Sequence, residues 1–259
     1  MQTDNDNATQ SSPFRLVNEV EMNAPLQWLR RGYSDMLSNL SMSLFYGVCF
    51  FLGGAFLLWM LRDRPQLIPI ITSGFLIVGP FLAMGLYEIS REHEKGEDVT
   101  LLHTMTAWKS NIGQLAIFGA ILLLIYLGWA QASMKAFATY YSGEIPSYKD
   151  FMLHVIETDQ IDFLLIFFGI GSIFVAFTFA ISVVSIPLIL DRGYSAIDAS
   201  LTSAAALATN VNAMIVWASL IALLTLGGLL TLLLGIIVIG PLLGHATWHA
   251  YRDLIALEK

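Results

Sequence analysis

Near the C-terminus two histidines, His245 and His249, stand four residues apart in Gly-His-Ala-Thr-Trp-His-Ala-Tyr-Arg-Asp253. On a helix that spacing puts both imidazoles on one face, which suits a shared transition metal or a neighbouring haem. Glu88 joins them as a third candidate ligand, because an earlier stretch repeats the pattern and places Glu88 where His249 stands. The competing use is structural. At a helix C-terminus imidazoles complement the dipole, and Trp248, Tyr251 and Tyr87 would form an aromatic belt at a membrane surface. No Ser-His-Asp arrangement, phosphate-binding loop or pair of catalytic carboxylates can be assembled. The chain therefore reads as a non-enzyme with no cofactor expected, a haem or transition metal at His245, His249 and Glu88 being the alternative.

The repeat that links these residues has an offset of 161. Gly79-Pro80, Leu82, Tyr87, Arg91 and Glu92 precede Gly240-Pro241, Leu243, Trp248, Arg252 and Asp253, and Arg31-Gly-Tyr-Ser34 precedes Arg192-Gly-Tyr-Ser195 by the same interval (193 − 32 = 161). Such a register indicates internal duplication. A weaker copy, Ile186-Pro-Leu-Ile-Leu-Asp-Arg192, lies between them.

What must position these groups is a set of membrane helices. The chain is 56% hydrophobic with a mean hydropathy of +0.67 and only 13% charged residues, far from a soluble domain. Its net charge of −7, with Lys and Arg scattered at helix ends, gives no footprint for nucleic acid. The lone Cys49 excludes an intrachain disulfide or a thiolate metal cage.

A hydrocarbon core about 30 Å thick needs roughly 20 apolar residues per helix. The runs 44–61, 67–87 and 112–130 meet that length, and 163–190 exceeds it, which predicts a tilt or a bend near Pro187. From Ala199 to Tyr251 no charged residue occurs; that stretch must fold back, and the repeat register puts its turn near Gly227-Gly228. The expectation is an all-α polytopic membrane protein: six spans as three hairpins, each preceded by a cytoplasmic interfacial amphipathic helix (24–39, 99–109 and 196–207). Residues 1–23 should be a disordered tail without a signal peptide. Residues 24–259 form one domain of repeats at about 24–92, 97–192 and 193–254. An insertion, 131–160, carries a short interfacial helix near 148–157. Lys and Arg number nine on the side of the termini and four opposite, so both termini should be cytoplasmic.

The motifs Gly79-Pro-Phe-Leu-Ala-Met-Gly-Leu-Tyr-Glu-Ile-Ser-Arg91, Ile186-Pro-Leu-Ile-Leu-Asp-Arg192 and Gly240-Pro-Leu-Leu-Gly-His-Ala-Thr-Trp-His-Ala-Tyr-Arg-Asp-Leu254 resemble the bacterial integral-membrane family catalogued as domain of unknown function 2189. The resemblance runs from about Arg30 to Leu254 and implies a bacterial inner-membrane protein. Some members of that family carry a cytochrome c oxidase subunit I-like label. That activity needs more intramembrane histidines than this chain supplies: it holds five in all, with His93 and His103 in a charged loop and His154 in the insertion. Two functions then compete. One is a scaffold or accessory subunit packed against another integral membrane complex, respiratory by the family's label. The other is a small-solute or ion permease, in which carbonyls freed by Pro80 and Pro241 line a pathway. The scarcity of polar residues in the spans favours the scaffold, and the Gly-Pro pairs then serve close helix packing.

Overall fold

The structure, a computed structural model, describes residues 17–62, 79–140 and 161–256. Among these residues the chain is helical apart from short junctions and a single antiparallel bridge between Val17 and Ile255. The helices are α1 (Ala24–Ser38), α2 (Leu40–Met60), α3 (Met84–Lys95), α4 (Leu101–Thr106) with a 3-10 turn (Ala107–Asn111), α5 (Ile112–Tyr140), α6 (Ile161–Ser182), α7 (Ser185–Arg192), α8 (Ala196–Thr209), α9 (Val211–Leu230) and α10 (Ile236–Leu254). Among the described residues four segments are long and apolar enough to cross a membrane: Leu40–Met60, Leu101–Ala136, Ile161–Arg192 and Val211–Leu230. The expected second span lies mostly outside the described residues, and α10, where the sixth was expected, is not among the four.

Three asparagines punctuate the chain. Asn39 separates α1 from α2 with φ −127° and ψ 45°, and Asn210 separates α8 from α9 with nearly the same values, −121° and 39°. Asn111 closes the 3-10 turn before α5. An Asn side chain competes with the backbone for hydrogen bonds and so favours such breaks. Asn210 accepts from the Val20 N–H and donates to the carbonyls of Asn18 and Ala206, while Asn111 donates to the Ile189 carbonyl. The two junctions of like geometry are 210 − 39 = 171 apart, not 161. The Arg-Gly-Tyr-Ser copies are correspondingly unlike: Gly32 lies inside α1, whereas Gly193 ends α7 in the left-handed conformation (φ 68°).

Each segment expected as a surface helix is helical, but α1 is two-sided. Trp28, Gly32, Asp35 and Met36 face inward, chiefly against α10, and Leu26, Tyr33 and Leu37 face outward. Trp28 also meets Trp217 of α9 edge-on, with ring centroids 5.6 Å apart. Trp28, Leu86, Ile189, Trp217, Trp248 and Tyr251, large side chains that are fully buried, belong to one core cluster. The middles of the spans turn apolar faces outward, such as Leu165, Phe168, Ile173 and Val175 on α6.

Several expectations need correction. Residues 17–23 of the expected 1–23 tail are tied to the helices, since Asn18 donates its N–H to the Leu254 carbonyl; residues 1–16 lie outside the described residues. Helix α5 continues to Tyr140, through ten residues assigned to the insertion; the proposed helix near 148–157 lies outside the described residues. The turn between α9 and α10 falls at 231–235, beyond Gly227-Gly228, because Gly228 serves as a contact: a Cβ there would sit 2.6 Å from Ile236. The bend near Pro187 is found at Val183–Val184, where α6 gives way to α7. Pro187 cannot donate to the Val183 carbonyl. Ser203 of α8 answers the break by donating to the Ala180 carbonyl at 2.8 Å and accepting from the Val184 N–H at 3.5 Å.

Pro241 sits inside α10 and frees the Ile237 carbonyl. Gly47 of α2 lies directly against that oxygen, so close that a Cβ would collide with it. Gly240 touches Phe50 in the same way, whereas nothing described lies within 4 Å of Gly79. Gly47→Ala should therefore cost about 1–3 kcal/mol through overpacking, while Gly79→Ala should be neutral or raise stability slightly. Thermal unfolding in detergent separates them, and equal midpoints would show that backbone contact at Gly47 does not matter.

Candidate functional site

The polar groups of α1, α2, α3 and α10 converge on one buried carboxylate. Asp35, 5% exposed, accepts from Ser90 Oγ at 2.6 Å, from His249 Nε2 at 2.8 Å and from His93 Nδ1 at 3.0 Å. The chain continues inward: Ser90 Oγ lies 2.8 Å from His245 Nδ1, and His245 Nε2 lies 2.9 Å from Ser43 Oγ. The single hydroxyl proton of Ser90 goes to Asp35, which makes His245 Nδ1 the donor to Ser90. In the neutral ring Nε2 then accepts from Ser43. All the hydrogen bonds thus point toward Asp35. Burial by itself would raise the Asp35 pKa, but the hydrogen bonds from His249, Ser90 and His93 outweigh it and hold the carboxyl below its ordinary value.

Glu88, the third candidate ligand, belongs to a separate group. It is 4% exposed and takes Arg91 Nη2 at 2.6 Å and His103 Nε2 of α4 at 2.9 Å. Glu92 completes this group; the ligating atoms of Glu88, Glu92 and His103 all lie within 4.8 Å of one another, a grouping able to hold a metal ion. Arg91 also reaches Glu92 at 3.4 Å and Lys95 reaches it at 2.9 Å, so two cations already serve the two carboxylates. His245 and His249 are joined to each other through Ser90 and Asp35, and neither nitrogen of His245 is free in this arrangement.

A third polar group closes the end of the molecule. Asp253 accepts from Trp28 Nε1 at 2.8 Å and from the Arg31 guanidinium. Glu94 takes Arg252 and Trp248, and Arg192 bridges Tyr251 Oη and the Ala256 carbonyl. Trp248, Arg252 and Asp253, three residues of the repeated motif, are thus fasteners between helices.

Sequence reasoning found the histidines and Glu88 by residue type and missed Asp35, Ser43 and Ser90. One available signal was the stripe Trp28, Gly32, Asp35, spaced as one helix face, with an acid among residues suited to burial.

Asp35→Asn keeps the shape but replaces the shared acceptor by an amide that accepts at one atom only. The loss should be on the order of 3–5 kcal/mol, as for breaking a buried charged network. Since the folded pKa lies below the unfolded value of about 3.9, the carboxylate's contribution is present above that value and is lost as pH falls through the folded pKa. Wild type should therefore lose stability below about pH 4 more steeply than Asp35→Asn; parallel acid limbs in detergent melts would remove Asp35 from the account.

Comparison with curated proteins and with solved structures gives no match. A family model described as "Predicted integral membrane protein (DUF2189)" matches residues 67–191, a segment that contains Glu88, Ser90, Arg91 and His103 and stops before α10. With its apolar helices, the chain is an integral membrane protein, and over residues 67–191, just under half of its length, it is similar to the DUF2189 family.

Proposed function

We propose that this is a non-enzymatic scaffold or accessory subunit of the bacterial inner membrane, packed against another integral membrane complex. One observation carries the reading: the polar groups suited to a substrate are used inside the protein. The carbonyl freed by Pro241 is covered by Gly47, and the buried imidazole of His245 lies between Ser43 and Ser90. The outward surfaces of α2, α5, α6 and α9 are apolar over most of their length, which suits lipid or the helices of a partner. Purification in mild detergent followed by mass spectrometry should recover a stoichiometric membrane partner. Solute flux through proteoliposomes of the pure protein would favour the permease instead.

A second reading, a bound metal, is favoured by the Glu88–Glu92–His103 group. Metal analysis and an optical haem spectrum separate the two. The scaffold reading expects no stoichiometric cofactor, and none lost on His245→Gln, His249→Gln or Glu88→Gln.

Six membrane-inserted helices with both termini cytoplasmic fit the same reading. The Val17–Ile255 bridge supports it by holding the two described ends together, and the excess of Lys and Arg there favours a cytoplasmic side. In intact cells a cysteine at Ser142 should react with an impermeant maleimide and one at Glu258 should not; the opposite pattern would invert the orientation.

A further inference from the structure

The turn between α9 and α10 is unlike a loop that meets water. Its side chains are leucines: Leu230 is 76% exposed, Leu232 85% and Leu234 58%, and no charged residue occurs anywhere from Ala199 to Tyr251. Its backbone closes on itself. Thr231 Oγ1 donates to the Gly228 carbonyl at 2.8 Å and accepts from the Gly235 N–H at 2.7 Å. The N–H groups of Leu234, Ile236, Ile237 and Val238 donate to the carbonyls of Thr231, Leu233, Leu234 and Gly235. A turn bathed in water can leave such groups to solvent; one in hydrocarbon must satisfy them internally.

Depth points the same way along two independent lines. Leu233 touches the Gly54 position of α2, with its Cδ1 3.2 Å from where a Cβ would stand. From there α2 runs on to Leu61, 61 − 54 = 7 residues or about 10 Å, before the first charge, Arg62. On the opposite flank the feet of α5 and α9 are level. Asn111 is tied to Ile189 near Arg192, which bonds Ala256, and Asn210 is tied to Asn18, which bonds Leu254. Yet α5 has 29 residues and α9 has 20, a difference of nine residues or about 14 Å. The α9–α10 turn therefore stops well short of the level reached by its neighbours.

Backbone strain adds a further mark. Leu232 and Leu233 hold φ of 54° and 68°, a region where glycine is the default. Leucine at both positions makes sense where the side chains themselves are needed. Leu233 packs on α2, and Leu232 is 85% exposed.

We propose that α9, the turn and α10 form a membrane-buried hairpin that enters and leaves on the side of the chain ends, with Leu230, Leu232 and Leu234 seated among the phospholipid acyl chains of the far leaflet. The third hairpin then presents no loop to the far aqueous phase. Lipid is the occupant because the turn meets much of its hydrogen bonding internally, lacks charge and ends inside the depth spanned by α2 and α5.

The test uses the full chain with Cys49→Ser, reconstituted in phosphatidylethanolamine–phosphatidylglycerol vesicles, with a nitroxide attached at Leu232→Cys and, separately, at Leu230→Cys. Spin relaxation by oxygen and by a water-soluble nickel chelate reports the surroundings. Leu52→Cys, on the outward face of α2, serves as the lipid reference and Arg62→Cys as the aqueous one. Both tip positions should match Leu52, with an oxygen-to-nickel ratio several-fold above that at Arg62. Nickel access like that at Arg62 would overturn the proposal by placing the turn in water. Low access to both reagents would overturn it by showing that protein, a second copy or a partner, covers the tip.

Discussion

Inside a bilayer a polar backbone group has no water to turn to, and each interruption of these helices is answered from within the chain. The carbonyl freed by Pro241 meets the bare Cα of Gly47, a position where only glycine lets the backbones approach. At the break before Pro187, Ser203 supplies both a donor and an acceptor. At the strained turn after α9, Thr231 does the same within its own segment. Small residues and hydroxyls thus do in hydrocarbon what solvent would do elsewhere, and their placement dictates which helices can be neighbours.

The same rule governs the side chains. Asp35 is a costly residue to bury, and it is tolerated because Ser90, His249 and His93 bring three donors from two other helices. That makes its carboxylate a junction where α1, α3 and α10 must all be in place at once, with α2 joined through Ser43 and His245. The Glu88 group ties α3 to α4 by a His–carboxylate pair of reversed arrangement: the acid stands on the motif helix and the imidazole on the helix that precedes a span. In the Asp35 pair, His249 is on the motif helix and the acid precedes the span. The two pairs are alike in chemistry and opposite in polarity, at repeat positions 88 and 249.

A good part of this was legible in the sequence. Composition and run length require a helical membrane protein, since only helices or closed barrels satisfy the backbone in lipid and the runs are far longer than barrel strands. The helix at 24–39, and a bend near Pro187, followed from periodicity and a missing donor. The asparagine breaks were readable in principle: Asn39, Asn111 and Asn210 each stand directly before an apolar run, but a polar residue at such a boundary is too common to stand out.

Other features were decided only by tertiary structure, because they join residues that local pattern cannot relate. Ser43 and His245 are 202 positions apart and Ser90 and His245 155, so no spacing rule brings them together. His245 and His249 read as a metal-binding pair by type alone; packing turned one ring between two serines and the other onto Asp35. Gly227-Gly228 read as a turn because glycine permits one, whereas the approach of Ile236 makes Gly228 a contact and moves the turn to leucines. Residue identity therefore determined the medium and the elements, which depend on local hydrogen bonding and hydropathy. The partner of each polar group was settled by which helices pack together, a property of the whole chain.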